Sequence, residues 1–304
     1  MAKILISDPI AEEGIAKLED AGFELDHKYD LSAEELKEEI GQYEGIVVRS
    51  ATKLRAPILD AADNLKIVVR AGVGLDNIDL DHADELGIEV RNTPEASSNS
   101  VAELALGHMF SLARDIPRGT ASLKEQKWIK SDLKGTELAG KTLGIIGAGR
   151  IGSLVAEKAT ALGMEALGYD KYVEEAPVEE IDMVEKDELL EKADYLTLHI
   201  PFVASEGATI AEEELKQMKD TACIVNCARG GVVDEDALAK ALENGWIRAA
   251  ALDVFTEEPP KNEELLKFDN LSLTPHLGAS TVEAQRRVGT QTADELMDFF
   301  GEEE

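Results

Sequence analysis

Two positions pair a chemically able side chain with a glycine-marked turn. Arg229 stands in Asn226-Cys227-Ala228-Arg229-Gly230-Gly231, and His276 in Thr274-Pro275-His276-Leu277-Gly278. The planar guanidinium of an arginine can grip a carboxylate through two parallel hydrogen bonds. An imidazole, with an unperturbed pKa of about 6.5, can accept or return a proton near neutrality. Each of the two follows an apolar run that reads as a strand, and open α/β sheets bind ligands outside the carboxyl ends of their strands. The other four histidines have places that suit structure better. His27 and His82 lie early in the chain, His108 in an apolar helical stretch and His199 inside a predicted strand.

A second constellation points to a dinucleotide. The apolar run Thr142–Ile146 leads directly into Gly147-Ala148-Gly149-Arg150-Ile151-Gly152, followed by a helical pattern through Leu154, Val155, Ala159 and Leu162. This is G-x-G-x-x-G between a strand and a helix. Gly147 permits the tight turn, Gly149 lets the backbone approach a pyrophosphate, and Gly152 lets helix and strand pack closely. The first amides of the helix favour the negative phosphates. Asp170 closes the next strand, 23 residues after Gly147, near the spacing at which a carboxylate takes the ribose hydroxyls. A 2′-phosphate about 4 Å from that carboxylate would cost up to roughly 4 kcal/mol at an effective dielectric of 20. The expected cofactor is therefore NAD, although adjacent Lys171 works in the other direction.

The elements that must position these groups come in two series. Strand candidates Lys3–Ser7, Phe23–His27, Gly45–Arg49, Ile67–Arg70 and Ile88–Arg91 alternate with helical stretches such as Ala11–Ala21 and Ala33–Ile40. A second series holds Lys141–Ile146, Glu165–Tyr169, Tyr195–Ile200, Cys223–Asn226, Ala249–Asp253 and Leu271–Thr274. Such alternation predicts two parallel-sheet α/β units with right-handed crossovers. Between them, Ser100-Val101-Ala102-Glu103 fits a capping box opening a helix to Leu112. Its apolar residues cover too much of the circumference for a one-sided surface helix, and Pro117 fits its end. The segment Thr120–Trp128 reads as an arm, and helix and arm together as a dimer contact. A last helix, Thr281–Phe300, could pack back on the first unit.

Composition narrows the partners. The 304 residues carry 62 acidic and 31 basic side chains, a net charge of -31, which disfavours nucleic acid and anionic membrane surfaces. The excess suits a solvated acidic surface, or a salty cytoplasm where screening tames self-repulsion. No apolar run reaches membrane-spanning length, and the amino terminus lacks signal-peptide character, so a cytoplasmic location is expected. Cys223 and Cys227 fit two reduced thiols in a buried strand, and no zinc spacing occurs.

Longer stretches carry a resemblance. Arg49-Ser50-Ala51-Thr52, Arg70-Ala71-Gly72-Val73-Gly74-Leu75-Asp76-Asn77, Gly135–Gly144, Asn226–Gly231, Ala251–Pro260 and Pro275–Thr281 together resemble the D-isomer-specific 2-hydroxyacid dehydrogenases, in particular the branch acting on 3-phosphoglycerate, over essentially the whole chain. The resemblance implies two doubly wound domains. A Rossmann-type NAD-binding domain, residues 96–281, is inserted in a flavodoxin-like substrate domain, residues 1–95 and 282–304. It also implies a catalytic set of Arg229, Glu258 and His276, whose separations of 29 and 18 residues fit the family. Arg229 would hold the substrate carboxylate, His276 would be the acid–base group, and Glu258 would orient the imidazole. Asp253 would hold the nicotinamide carboxamide, while Arg150, Ile151, Pro201, Cys227 and Gly278 would line the cofactor. The amides around Ala71, Gly72, Val73 and Gly74 would meet the carboxylate, and Arg49 and Arg70 are candidates for a phosphate, unless they serve only as surface ion pairs.

Two departures qualify what the resemblance implies. Val203 and Glu206 stand where the family usually has threonines, and a carboxylate near the cofactor phosphates is unfavourable unless it turns outward. The chain also stops at Glu304, so the serine-binding domains of longer members, and serine inhibition, are not expected. Glycerate, glyoxylate and hydroxypyruvate remain alternative substrates. A non-enzymatic NADH-sensing protein of the corepressor type is the alternative from another class.

Overall fold

The computed structural model describes residues 2–302. The chain divides into two compact units, residues 1–98 with 279–304, and residues 99–278. The inner boundaries lie three residues inside the expected ones at each end.

The first unit is built on five strands: β1 (Lys3–Ile6), β2 (Glu24–His27), β3 (Gly45–Val48), β4 (Ile67–Arg70) and β5 (Glu89–Asn92). They are parallel and ordered β2-β1-β3-β4-β5, the flavodoxin-like order. The central strand β3 is Gly-Ile-Val-Val and wholly buried, as expected of a strand covered on both faces. Alternate residues feed two cores. Ile4, Ile6, Val47, Ile67 and Val69 meet Leu18, Val288 and Leu296 of the helices Glu12–Asp20 and Val282–Glu302. Leu5, Ile46, Val48 and Val68 meet Leu36, Leu59 and Ala83 on the other face. The last helix thus packs on the first sheet. Gly14 and Gly289 let it approach, since a Cβ on Gly14 would stand 2.3 Å from the Gly289 carbonyl oxygen.

The second unit holds seven parallel strands: β6 (Thr142–Ile146), β7 (Glu165–Tyr169), β8 (Ile181–Met183), β9 (Tyr195–Leu198), β10 (Cys223–Asn226), β11 (Ala249–Leu252) and β12 (Leu271–Leu273). Their order is β12-β11-β10-β9-β6-β7-β8, so the winding reverses between β6 and β9. Strand β8 was not expected. It has three residues at a sheet edge with Asp182 exposed, too short for an alternation to register. One face of the sheet packs on the helices Ser98–Arg114 and Arg150–Ala161, the other on Leu190, Leu215 and Leu238.

Three local expectations need correction. The helix preceding β6 starts at Ser98 rather than Ser100. The Ser98 hydroxyl donates to the Pro94 carbonyl and its amide to that of Glu95, while Glu103 is bonded by Asn99. The turn is therefore closed before Ser100, which lies buried within the helix. Only Glu103, Gly107, Phe110 and Arg114 of this helix are exposed, one narrow stripe. Pro117 begins a new helix, Ile116–Lys124, after left-handed Asp115, and most of the supposed arm is helical.

Candidate active site

The glycine turn after β6 sits at the reversal of strand order, where doubly wound sheets open a crevice. Gly147 has φ +97°, and a Cβ there would stand 2.6 Å from the His199 carbonyl oxygen. A Cβ on Gly152 would be 2.1 Å from the Gly147 oxygen, so helix and turn touch backbone to backbone. Gly149, the N-cap of the helix, differs: no protein atom lies within 4 Å of its Cβ position. That open space before the first helical amides suits a ligand phosphate. Asp170 follows β7 and accepts from the Ala148 amide at 3.0 Å and the Tyr172 amide at 2.9 Å. Its carboxylate therefore braces the turn as well as standing at its rim. Arg150 and Pro201 are exposed, Ile151 is half-buried and Cys227 is buried beyond β10. His199 follows β9 instead of lying inside it, with its amide on the Ile146 carbonyl at 2.8 Å.

The candidate proton-transfer group comes from the carboxyl ends of β10, β11 and β12, which are neighbours in the sheet. His276 Nδ1 lies 2.8 Å from Glu258 Oε2. The other carboxylate oxygen of Glu258 accepts from the Phe255 amide at 3.2 Å, tying the residue to its own loop. Both side chains are partly exposed. Arg229 lies on the turn after β10, and its Nη1 donates to the Ala228 carbonyl at 2.7 Å. Next to it, a Cβ on Gly230 would stand 1.9 Å from the Phe255 carbonyl oxygen. The Arg229 turn thus presses on the loop that carries Glu258, and only a glycine permits it. His276 adopts φ +55°, and its amide donates to the Asp253 carbonyl at 2.9 Å. Asp253 is fully buried. Its Oδ1 accepts from the Thr274 hydroxyl and the Leu277 amide, both at 2.6 Å, and its Oδ2 from the Gly278 amide at 2.8 Å. One buried carboxylate therefore shapes the loop on either side of His276.

The first unit holds the remaining candidates. Arg49 lines a cavity of about 480 Å³ with Arg286, Gln285, Ser280 and Glu13. Its backbone is pinned by Asp8 and Asn77. Arg286 is paired with Glu13 at 2.8 Å. Arg70 does not line that cavity. Its guanidinium lies over Gly72, where a Cβ would stand 1.5 Å from Nη1. The expected amide cradle at Ala71–Gly74 is also smaller than anticipated. The Ala71 and Gly72 amides donate to the Val48 and Arg70 carbonyls, both at 2.8 Å. That leaves Val73 and Gly74 as the candidates, because the ladder runs on to the Ala71 amide and the Gly72 amide closes a tight turn on Arg70.

Comparison with known proteins gives the family. Residues 106–278 match the family model of the D-isomer specific 2-hydroxyacid dehydrogenase NAD binding domain. The chain is 50% identical over 301 residues to a D-3-phosphoglycerate dehydrogenase of Methanocaldococcus jannaschii, covering 97% of this chain and 57% of the relative. It is 47% identical over 307 residues to a hydroxypyruvate reductase of Thermotoga maritima, covering 98% of both. The chain belongs to the D-isomer-specific 2-hydroxyacid dehydrogenases. A D-lactate dehydrogenase from Aquifex aeolicus, solved with NAD and lactic acid, superposes with a TM-score of 0.85 at 30% identity, covering 98% of this chain and 95% of that one. The chain spans little more than half the length of several curated phosphoglycerate dehydrogenases it matches, 57% of the archaeal one and 56% of the rat one.

The conflict expected at Glu206 has a structural answer. Its carboxylate pairs with Lys171 at 2.8 Å, and that hydrogen bond holds the Lys171 pKa above its ordinary value. The negative charge is thereby met by the cation beside Asp170. Two positions of the site escaped the sequence reading. Thr274 anchors Asp253, and Gln285 shares the Arg49 cavity. The threonine carries no signal, but the glutamine could have been found by helical spacing from Thr281, which caps the last helix through the Ala284 amide at 3.1 Å. Among the described residues no cluster is suited to a metal ion, and no helix is long and apolar enough to cross a membrane.

Proposed function

We propose that the protein oxidises 3-phospho-D-glycerate to 3-phosphohydroxypyruvate with NAD, a step feeding serine biosynthesis. The observation that carries the reading is the 2.8 Å contact between Glu258 and His276 Nδ1 on the loops of adjacent strands. With Nδ1 committed, Nε2 is the nitrogen that takes the proton of the 2-hydroxyl, and it returns that proton in the reverse direction. A bound nicotinamide supplies the hydride acceptor. Arg229 holds the substrate carboxylate and polarises the C2 oxygen. The residue 99–278 unit is the cofactor domain: Gly147, Gly149, Gly152, Arg150 and Ile151 at the pyrophosphate, Asp170 at the ribose, and Pro201, Cys227 and Gly278 along the wall. A carboxylate has about four acceptor positions, and three of Asp253's serve its own chain. The fourth takes the carboxamide.

The other unit is the substrate domain. The amides of Val73 and Gly74 meet the substrate carboxylate, and Arg49 meets the phosphate, supported by the cavity it shares with Gln285. Arg70 is the weaker phosphate candidate because it packs on Gly72. Hydroxypyruvate reduction is the second reading, favoured by the Thermotoga relative that this chain matches end to end. Exposed Phe110, Ile116, Leu123 and Trp128 lie on and after the helix pair at 98–124 and support a homodimer, which sedimentation of wild-type and Trp128→Glu protein tests. The location we propose is cytoplasmic.

Steady-state rates decide the substrate. Phosphoglycerate should be turned over with NAD at least tenfold more efficiently than glycerate, and far better than with NADP. Arg49→Ala should lower kcat/KM for the phosphorylated substrate by roughly 10–10²-fold, the order of one charge-assisted contact, and leave hydroxypyruvate reduction unchanged. Equal loss on both substrates would remove Arg49 from the phosphate, and faster turnover of unphosphorylated substrate would favour the second reading.

A further inference from the structure

His108 was expected to be structural, and it is buried in the middle of the helix Ser98–Arg114. Both of its ring nitrogens are nevertheless engaged. Nδ1 lies 3.0 Å from the Ser272 hydroxyl, and Nε2 lies 3.0 Å from the Thr274 hydroxyl. The Ser111 hydroxyl lies 2.9 Å beyond Ser272. Thr274 is in turn 2.6 Å from Asp253 Oδ1.

Proton inventory fixes the direction of this line. An ionised carboxylate only accepts, so Thr274 spends its single hydroxyl proton on Asp253. Thr274 can then meet His108 only as an acceptor, which places the imidazole proton on Nε2. Burial holds the imidazole pKa below its ordinary value, so the ring is neutral with its proton on Nε2, while the Ser272 hydroxyl donates to Ser111 at 2.9 Å. A helix on one face of the sheet is thereby joined through Thr274 to the carboxylate that receives the Leu277 and Gly278 amides.

We infer that His108 is a positioning residue for the nicotinamide end of the site, acting through Thr274 to fix the carboxylate of Asp253. The inference rests on the proposed role of Asp253 toward the carboxamide. A carboxylate offering one remaining lone pair must hold its plane against rotation, and the 2.6 Å hydroxyl bond from Thr274 supplies that hold on Oδ1. Without the Nε2–H donor, the Thr274 hydroxyl loses the partner that directs its oxygen, and Asp253 Oδ2 loses its fixed aim. The Glu258–His276 contact is made by neither His108 nor Thr274, so the loss should fall more on NADH binding than on proton transfer.

The test is NADH binding, followed by quenching of tryptophan fluorescence, in wild-type protein and in His108→Leu, His108→Gln and Thr274→Val. The line predicts that His108→Leu and Thr274→Val each weaken NADH about tenfold, the order of one buried hydrogen bond. KM for the hydroxyacid should stay within about twofold. His108→Gln keeps an N–H near the Nε2 position and should restore most of the affinity. If His108→Leu does not fold, Thr274→Val carries the decision. NADH bound by Thr274→Val at wild-type affinity would overturn the inference alone, as would a glutamine variant no better than leucine. Wild-type protein that binds no NADH would overturn the cofactor reading and this inference with it.

Discussion

Glu258 and His276 lie 18 residues apart in the chain, yet their side chains meet at 2.8 Å because β11 and β12 end side by side. The contact fixes which imidazole nitrogen faces away from the carboxylate. His276→Ala should reduce the turnover number by roughly 10²–10⁴-fold, the usual worth of a positioned acid–base group. NADH affinity should remain near wild type, since the pyrophosphate turn is untouched. Glu258→Gln should cost less, about 10–10³-fold, because an amide can still orient the ring but brings no charge. Stopped-flow hydride transfer with both variants measures this, and an unimpaired His276→Ala enzyme would remove the histidine from the chemistry.

Much of this site was legible before any coordinates. Two glycines of the turn declare themselves because each serves a backbone need that no other residue meets. Gly147 and Gly152 would collide with carbonyl oxygens if they carried a Cβ. The central strands were equally plain, since a four-residue apolar run such as Ile46-Val47-Val48 after Gly45 has no place except a sheet covered on both faces. The boundary of the helix at Ser98 was not legible. Several serines and an asparagine precede its apolar stripe, and the choice among them depends on which carbonyl of Pro94 or Glu95 is within reach. The amide cradle at Ala71–Gly74 was narrowed for a related reason: pairing with β3 runs on to the Ala71 amide, which composition does not reveal. The line from His108 to Asp253 was also hidden, since its members lie 145 positions or more apart from the helix to the sheet and only folding brings them together.

Asp170 has two jobs that a substitution can separate. In the proposed reading its charge opposes a 2′-phosphate, while its oxygens accept from Ala148 and Tyr172. Asp170→Asn removes the charge and keeps an acceptor. The preference for NAD over NADP should fall by about 10–10³-fold in kcat/KM, the scale of a unit charge repelled at about 4 Å in a partly solvated site. Asp170→Ala should in addition lower NADH affinity, because the turn loses its brace. An asparagine variant with the wild-type cofactor ratio would place the discrimination elsewhere, with Glu206 and Lys171 the next residues to change.

His199 makes stability depend on pH. Part of the residue reaches the surface, but its ring Nδ1 is closed off without a partner, and burial pushes its pKa down to about 4. In the unfolded chain the same ring titrates near 6.5. Between those values the unfolded state binds more protons than the folded one, so stability falls as pH falls through that window. Near pH 4.5 the loss attributable to this ring is at most about 2 to 3 kcal/mol. Urea unfolding at pH 7 and pH 4.5 should give a smaller difference for His199→Asn than for the wild-type protein. Equal differences would mean that the folded ring accepts its proton freely.

The acidic surface predicts how the protein responds to salt. With 62 acidic and 31 basic side chains, half of the carboxylates would lack a cation even if every lysine and arginine were paired. Many of the pairs that do form are exposed, such as Lys192 with Glu188 and Lys216 with Glu212, and pairs of that kind contribute at most about 1 kcal/mol each. Repulsion among the remaining carboxylates is therefore the larger electrostatic effect. Screening shortens from about 10 Å at 0.1 M salt to about 3 Å at 1 M, which weakens that repulsion more than it weakens contact pairs. Raising potassium chloride from 0.1 to about 1 M should lift the melting temperature by several degrees. A melting temperature that is flat or falls over this range would mean that the surface charge does not limit stability.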